Sequence, residues 1–116
     1  MEGKIVVLVT RYGMGAVAAG EEAFGVEMLE RFLHACESRA ESFEAICFYT
    51  EGVRAVCAES PLVPALRLIE GLGVRLVVCR TCLDHYGLTE RVAVGEIGTM
   101  AEIVGLITEA GKVVTL

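Results

Sequence analysis

Cys79-Arg80-Thr81-Cys82, with His85 three residues further on, is the stretch of this chain richest in chemistry. Two thiols one helical turn apart, beside a guanidinium and an imidazole, suit nucleophilic sulfur chemistry, in which the thiolate is the reacting species. Free cysteine ionises near a pKa of about 8.5, and unpaired N–H groups at a helix start lower that by a unit or more. The neighbouring residues imply such a seat. Val74–Val78 reads as a buried strand that delivers Cys79, and Leu83-Asp84-His85-Tyr86 as a short helix after it. Cys79 and Cys82 are therefore the candidate catalytic thiols, with Arg80, Thr81 and His85 in support. His85 reads equally well as an exposed polar helix residue. Tyr86 is better explained by packing than by chemistry.

Several elements must position that stretch. Ile5-Val6-Val7-Leu8-Val9 has the continuous apolar pattern of a strand covered on both faces. A glycine-bearing loop, residues 11–20, precedes a helix expected over about Glu21–Ser38, with Phe24, Met28, Phe32 and Cys36 as its apolar stripe. Ala45–Tyr49 reads as a second strand, and Gly52 turns the chain into a short helical piece over Val53–Ala58. Ser60-Pro61 opens a helix carrying Leu62, Leu66 and Ile69, which Gly71 and Gly73 stop. Arg91–Val94 is expected as a fourth strand, Thr99-Met100-Ala101-Glu102 as a capping box, and Lys112–Leu116 as the last strand. Strands alternating with helices, without hairpin signals, imply a mostly parallel sheet covered on both faces. Open sheets of that kind bind ligands at the carboxyl ends of their strands. Gly13, Met14, Gly15, Tyr49, Glu51 and Gly52 are therefore expected to wall a pocket at the thiol site.

Other chemistries fit less well. Gly13-Met14-Gly15-Ala16-Val17-Ala18 satisfies a loose dinucleotide fingerprint, but Ala19-Gly20 prolongs the loop where a helix should already have begun. Glu51 is also too distant to serve as the acidic ribose ligand. Cys79, Cys82 and His85 have plausible spacing for zinc, yet a structural site needs a fourth ligand, and His34 belongs to the first helix. Haem attachment is excluded because Leu83 follows the second cysteine. A thioredoxin-type protein needs a proline after its cysteines, whereas Pro61 and Pro64 both precede them. A persulfide carrier survives these comparisons: a thiolate at a strand tip accepts sulfane sulfur and passes it to another thiol. It requires no metal and no organic cofactor. Cys36, Cys47 and Cys57 read as buried, inert core residues.

Composition sets the outer bounds. A chain of 116 residues, 54% hydrophobic and 22% charged, makes one domain over residues 1–116 with a substantial core. Its net charge of −6 argues against nucleic acid and acidic membranes as partners. The apolar run Ile5–Val9 is too short for a signal peptide core or a membrane span. Five cysteines in that setting point to a reducing cytoplasm.

Cys79-Arg80-Thr81-Cys82-Leu83-Asp84-His85-Tyr86-Gly87-Leu88, followed by Val92-Ala93-Val94-Gly95-Glu96-Ile97, resembles the DsrE/DsrF-like sulfur-relay superfamily. Within it the likeness is to the C-terminal domain of YedF-type selenium-metabolism proteins. Met14-Gly15, Gly20–Gly25 and Phe48-Tyr49-Thr50-Glu51-Gly52-Val53 extend the similarity over nearly the whole chain. The resemblance implies a three-layer α/β/α fold with a five-stranded, mostly parallel sheet. It places the sulfur-accepting cysteine at Cys79 and makes Cys82 an additional thiol. It also implies assembly as a trimer or hexamer and TusA-like or other sulfur-relay partners. YedF-type proteins usually carry a TusA-like domain that this sequence lacks, so that partner would be a separate chain. The loop residues Ala16-Val17-Ala18-Ala19 depart from the polar residues usual there and suggest an apolar contact surface. Family members without demonstrated sulfur transfer leave a non-catalytic interaction subunit as the alternative, and a Cys79–Cys82 redox switch is a third.

Overall fold

Runs of β-branched residues form extended chain readily and need cover on both faces, and the backbone meets both demands. In the computed structural model, which describes residues 3–116, five strands form: β1 (Ile5–Val9), β2 (Phe43–Phe48), β3 (Arg75–Cys79), β4 (Glu96–Gly98) and β5 (Lys112–Thr115). They make one sheet in the order β4-β3-β2-β1-β5, with every neighbouring pair parallel. The connecting helices are α1 (Glu22–Cys36), α2 (Val63–Gly71), α3 (Arg80–Tyr86) and α4 (Met100–Glu109). From β1 to β4 the chain steps repeatedly toward one edge, so right-handed crossovers put α1, α2 and α3 on the same face. The connection from β4 to β5 runs back across the sheet and places α4 on the other face. The result is the expected three-layer α/β/α architecture.

The core lies along the three central strands. Val6–Val9, Ala45–Phe48 and Leu76–Cys79 are all buried, and Leu29, Leu33, Leu66 and Ile69 cover them. Each fully buried aliphatic side chain contributes about 1.5–3 kcal/mol relative to exposure, which makes this layer the rigid base for the strand ends. All three strands finish at the same rim.

Four local expectations are corrected. The buried face of α1 is Gly25, Leu29, Leu33 and Cys36, whereas Phe24 is 55% exposed. Two apolar stripes lie one residue apart on this helix, and the one carrying the leucines faces the sheet. The helix also ends at Cys36, and residues Glu37–Ser42 continue as tighter 3-10 turns. Arg91–Val94 is not the fourth strand. The Ala58 N–H donates to the Arg91 carbonyl and the Ala93 N–H to the Val56 carbonyl, which ties this segment to the chain after β2. The sheet strand is instead Glu96–Gly98. Finally, Ser60 acts just before its helix: its Oγ accepts the Leu62 N–H at 3.0 Å, and Pro64 occupies the first turn of α2. The capping box holds as expected, with Thr99 and Glu102 bonding each other's N–H groups.

Candidate functional site

The carboxyl ends of β1, β2 and β3 converge on one small structure. β3 has no loop after it: Cys79 is both the last residue of the strand and the N-cap of α3. Helical spacing then sets Cys82 in the first turn of α3, on the same side as Cys79. After β2 the chain enters a 3-10 segment, Thr50–Val56, which packs against both β3 and α3.

The joint between β2 and that segment is under constraint. Thr50 has φ +49°, the left-handed region that a β-branched residue rarely occupies, at a cost of roughly 1–3 kcal/mol. The conformation is held from both sides. The Thr50 hydroxyl lies 2.6 Å from the Thr10 carbonyl oxygen and 2.7 Å from that of Tyr49, so its single hydrogen is well placed for either. The Tyr49 N–H donates to the Val9 carbonyl at 3.1 Å, and the Gly52 N–H to the Tyr49 carbonyl at 3.0 Å. Gly52 is buried where a β-carbon would overlap the Val9 carbonyl oxygen, so only glycine lets the chain pass so close to the end of β1. This seat aims one donor outward. The Thr50 N–H points at the Cys82 sulfur, 3.0 Å away.

The two thiols differ in access. Cys79, the thiol expected at the strand tip to accept sulfur, is only 2% exposed. Cys82 is half-buried and has solvent on one side. Burial pushes the Cys82 thiol above its ordinary pKa, the Thr50 N–H opposes this, and the hydrogen-bonded Cys79 thiol adds to the rise. The net direction is upward, opposite to the lowering expected for this frame. The first turn of α3 supplies little help, because the Cys79 side chain accepts no capping hydrogen bond.

The supporting residues are divided. Arg80, Thr81 and His85 are all exposed, and the His85 ring packs edge-on against Tyr86 at 5.0 Å between centroids. Arg54 lies over the other aromatic partner: its guanidinium carbon is 4.7 Å from the Tyr86 ring centre, and its Nε donates to Glu51 at 2.9 Å. Tyr86 is thus held by packing and by a cation over its face. Gly13, Gly15 and Glu51 line a cleft of ≈ 350 Å³ together with Arg11, Tyr12 and Val17. Met14 stands back from the cleft, half-buried, its N–H bonded to the Gly25 carbonyl at 2.9 Å. Tyr49 and Gly52 belong to the seat under Cys82. Neither thiol lines the cleft, which adjoins the seat through Glu51.

Cys36, Cys47 and Cys57 are buried, and burial raises the pKa of each, that of Cys47 to about 11. The Cys57 thiol donates to the Val53 carbonyl at 3.4 Å. Among the described residues no group of three or more His, Cys, Asp and Glu side chains is placed to hold a metal ion. No helix among them is long and apolar enough to cross a membrane.

Sequence reasoning missed Thr10, Thr50 and Arg54. No pattern marks a threonine for a left-handed turn, because its branching argues against one. The available signal was Gly52, whose place just past a strand end indicates a close backbone approach.

Comparison with known proteins gives a consistent result. A model of the DsrE/DsrF-like family matches residues 4–116. No curated protein matches in sequence. Among solved structures, the YchN protein of E. coli aligns with a TM-score of 0.73 and 23% identity over 100% of both chains. A protein of unknown function from Methanobacterium thermoautotrophicum aligns with a TM-score of 0.71 and 18% identity, over 99% of this chain and 100% of that one. A conserved protein of unknown function from Bacteroides thetaiotaomicron gives 0.67 and 11%, over 97% and 95%. At these identities the structures speak to the fold alone.

Proposed function

The chain belongs to the DsrE/DsrF-like family, and from that premise we propose that it is a sulfur carrier whose Cys79–Cys82 pair takes up sulfane sulfur and passes it on. The observation that carries this reading is the Cys82 sulfur, held half-exposed against the Thr50 N–H with a second thiol behind it. The difference in access supports an order within the pair, with Cys82 rather than Cys79 taking up sulfur first. Cys82 meets an incoming persulfide, and Cys79, shielded from solvent, reacts only through Cys82. In loading, the Cys82 thiolate attacks the outer sulfur of a donor persulfide, forming Cys82–S–SH and releasing the donor thiolate. In unloading, an acceptor thiolate attacks that same outer sulfur and the Cys82 thiolate leaves.

The partners such a cycle calls for are sulfur-relay proteins or domains of TusA-like or related kind, and further copies of this chain in a trimer or hexamer. Five free thiols fit the reducing cytoplasm. The Cys-x-x-Cys-Leu-Asp stretch supports placement nearest the YedF-type branch.

Intact-mass measurement after incubation with a low-molecular-weight persulfide tests the proposal. The wild-type protein is expected to gain one sulfur atom, Cys82→Ser to gain none, and Cys79→Ser to keep the adduct. No adduct on the wild type removes the carrier reading and favours an interaction subunit with idle thiols. The contact between the two thiols supports a second reading, in which they cycle through a disulfide. That reading requires a loss of two hydrogens on mild oxidation, restored by a dithiol.

A further inference from the structure

We propose that the main-chain N–H of Thr50 is a catalytic group, a fixed donor that stabilises the Cys82 thiolate each time sulfur is loaded or handed on. This rests on the carrier reading above. In the transfer step an acceptor RS⁻ attacks the outer sulfur of Cys82–S–SH, the bond between that sulfur and Cys82 Sγ breaks, and RS–SH and the Cys82 thiolate result. Atoms and charge balance, and no proton, metal or external reductant takes part. The negative charge that arrives on the leaving group develops on Cys82 Sγ, the atom that the Thr50 N–H already faces at 3.0 Å. A donor oriented before the reaction toward the atom that gains charge needs no reorganisation, which is the principle of an oxyanion hole.

Three features show that the donor is built in. Thr50 holds φ +49° although threonine resists that conformation. Its hydroxyl anchors the turn to the Thr10 carbonyl at the end of β1. Gly52 admits the chain against Val9 at a distance no other residue allows. Together they fix the N–H from two strand ends, while Cys82 is presented by a third. Arg80 and His85, the charged candidates on α3 itself, are exposed to solvent and make no hydrogen bond to the sulfur among the described residues. The donor that touches the sulfur comes from across the rim.

Replacing the Tyr49–Thr50 peptide bond by an ester, with both side chains kept, removes this one N–H. The midpoint of the alkylation-rate profile of Cys82 against pH is expected to rise by about one unit, and transfer from pre-loaded protein to a small thiol to slow about tenfold. Unchanged profile and rate in a folded ester variant overturn the proposal. A measurement on the unmodified chain guards against misfolding of that variant. The Thr50 amide proton resonance should move downfield with the same pH midpoint as Cys82 alkylation, and Cys82→Ser should abolish the movement. A resonance that ignores Cys82 ionisation overturns the proposal as well. The two readings remain separable: a wild type that never gains sulfur removes the carrier function, whereas the amide titration reports on the donor either way.

Discussion

Two connections leave neighbouring strands at the same rim, and they use glycine differently. The loop after β1 is long and carries Gly13, Gly15 and Gly20; the turn after β2 is short and carries only Gly52. The long loop has the appearance of a ligand-binding motif, yet it lines a cleft that neither thiol reaches. The short turn carries no ligand-binding signature, and it delivers the main-chain hydrogen bond to Cys82. Glycine gives the loop its path around the start of α1. In the turn it lets two strand ends approach closely enough to strain Thr50. The site depends on tightness rather than on glycine count.

Gly52→Ala tests this most severely. The added methyl would overlap the Val9 carbonyl, so a loss of about 3 kcal/mol or more in urea unfolding is expected, together with altered Cys82 alkylation. Unchanged alkylation in a folded Gly52→Ala protein would falsify the dependence of the thiol on the turn.

The next effect comes from the thiols beneath both connections. A thiol whose folded pKa is raised keeps its proton in the native state while the unfolded chain has already lost it. Its contribution is therefore full below the unfolded value of about 8.5 and is lost as pH rises through the folded value. For Cys47 that value is about 11, so stability should fall by roughly 2 to 3 kcal/mol between those limits. Denaturant melts across that range check it, and Cys47→Ala should flatten most of the slope. Cys36, Cys57 and Cys82 are shifted in the same direction and add to the loss.

Gly13→Ala ranks third. Gly13 has φ +146°, and a β-carbon there would lie 2.9 Å from the Gly25 carbonyl carbon. A loss of about 2 kcal/mol is expected, with the alkylation profile of Cys82 left in place. A shifted profile would join the two connections into one site. Gly25→Ala is the smallest change and has the opposite sign. Its β-carbon meets nothing closer than 3.6 Å, and Val17 is the nearest neighbour. Better helix propensity in α1 should then raise stability by up to about 1 kcal/mol, visible as a small increase in melting temperature.

Much of this was legible before any coordinates. Apolar runs and glycine stops located four of the strands, and the capping box at Thr99 and the burial of Cys36, Cys47 and Cys57 followed from local pattern. The errors came where local pattern is ambiguous. Phe24 and Leu29 both fit a helical stripe, and only packing against the sheet chooses between them. Val92 has strand-like neighbours, but the main-chain groups of Arg91 and Ala93 on either side of it are taken by the segment after β2. The proximity of Cys79 and Cys82 was readable from their spacing. Which of them faces solvent was not, because that depends on how the segment Thr50–Val56 lies across β3 and α3, a contact between residues about 30 positions apart.

The absence of any linker between β3 and α3 has a mechanical consequence. Carriers that deliver cargo on a swinging arm need slack beside the reactive atom. Here Cys79 ends a central strand and begins a helix at once, so α3 cannot pivot without pulling on the sheet. On the carrier reading proposed above, sulfur on Cys82 would sit at a fixed berth, and its exchange would depend on how far the visiting thiol can reach.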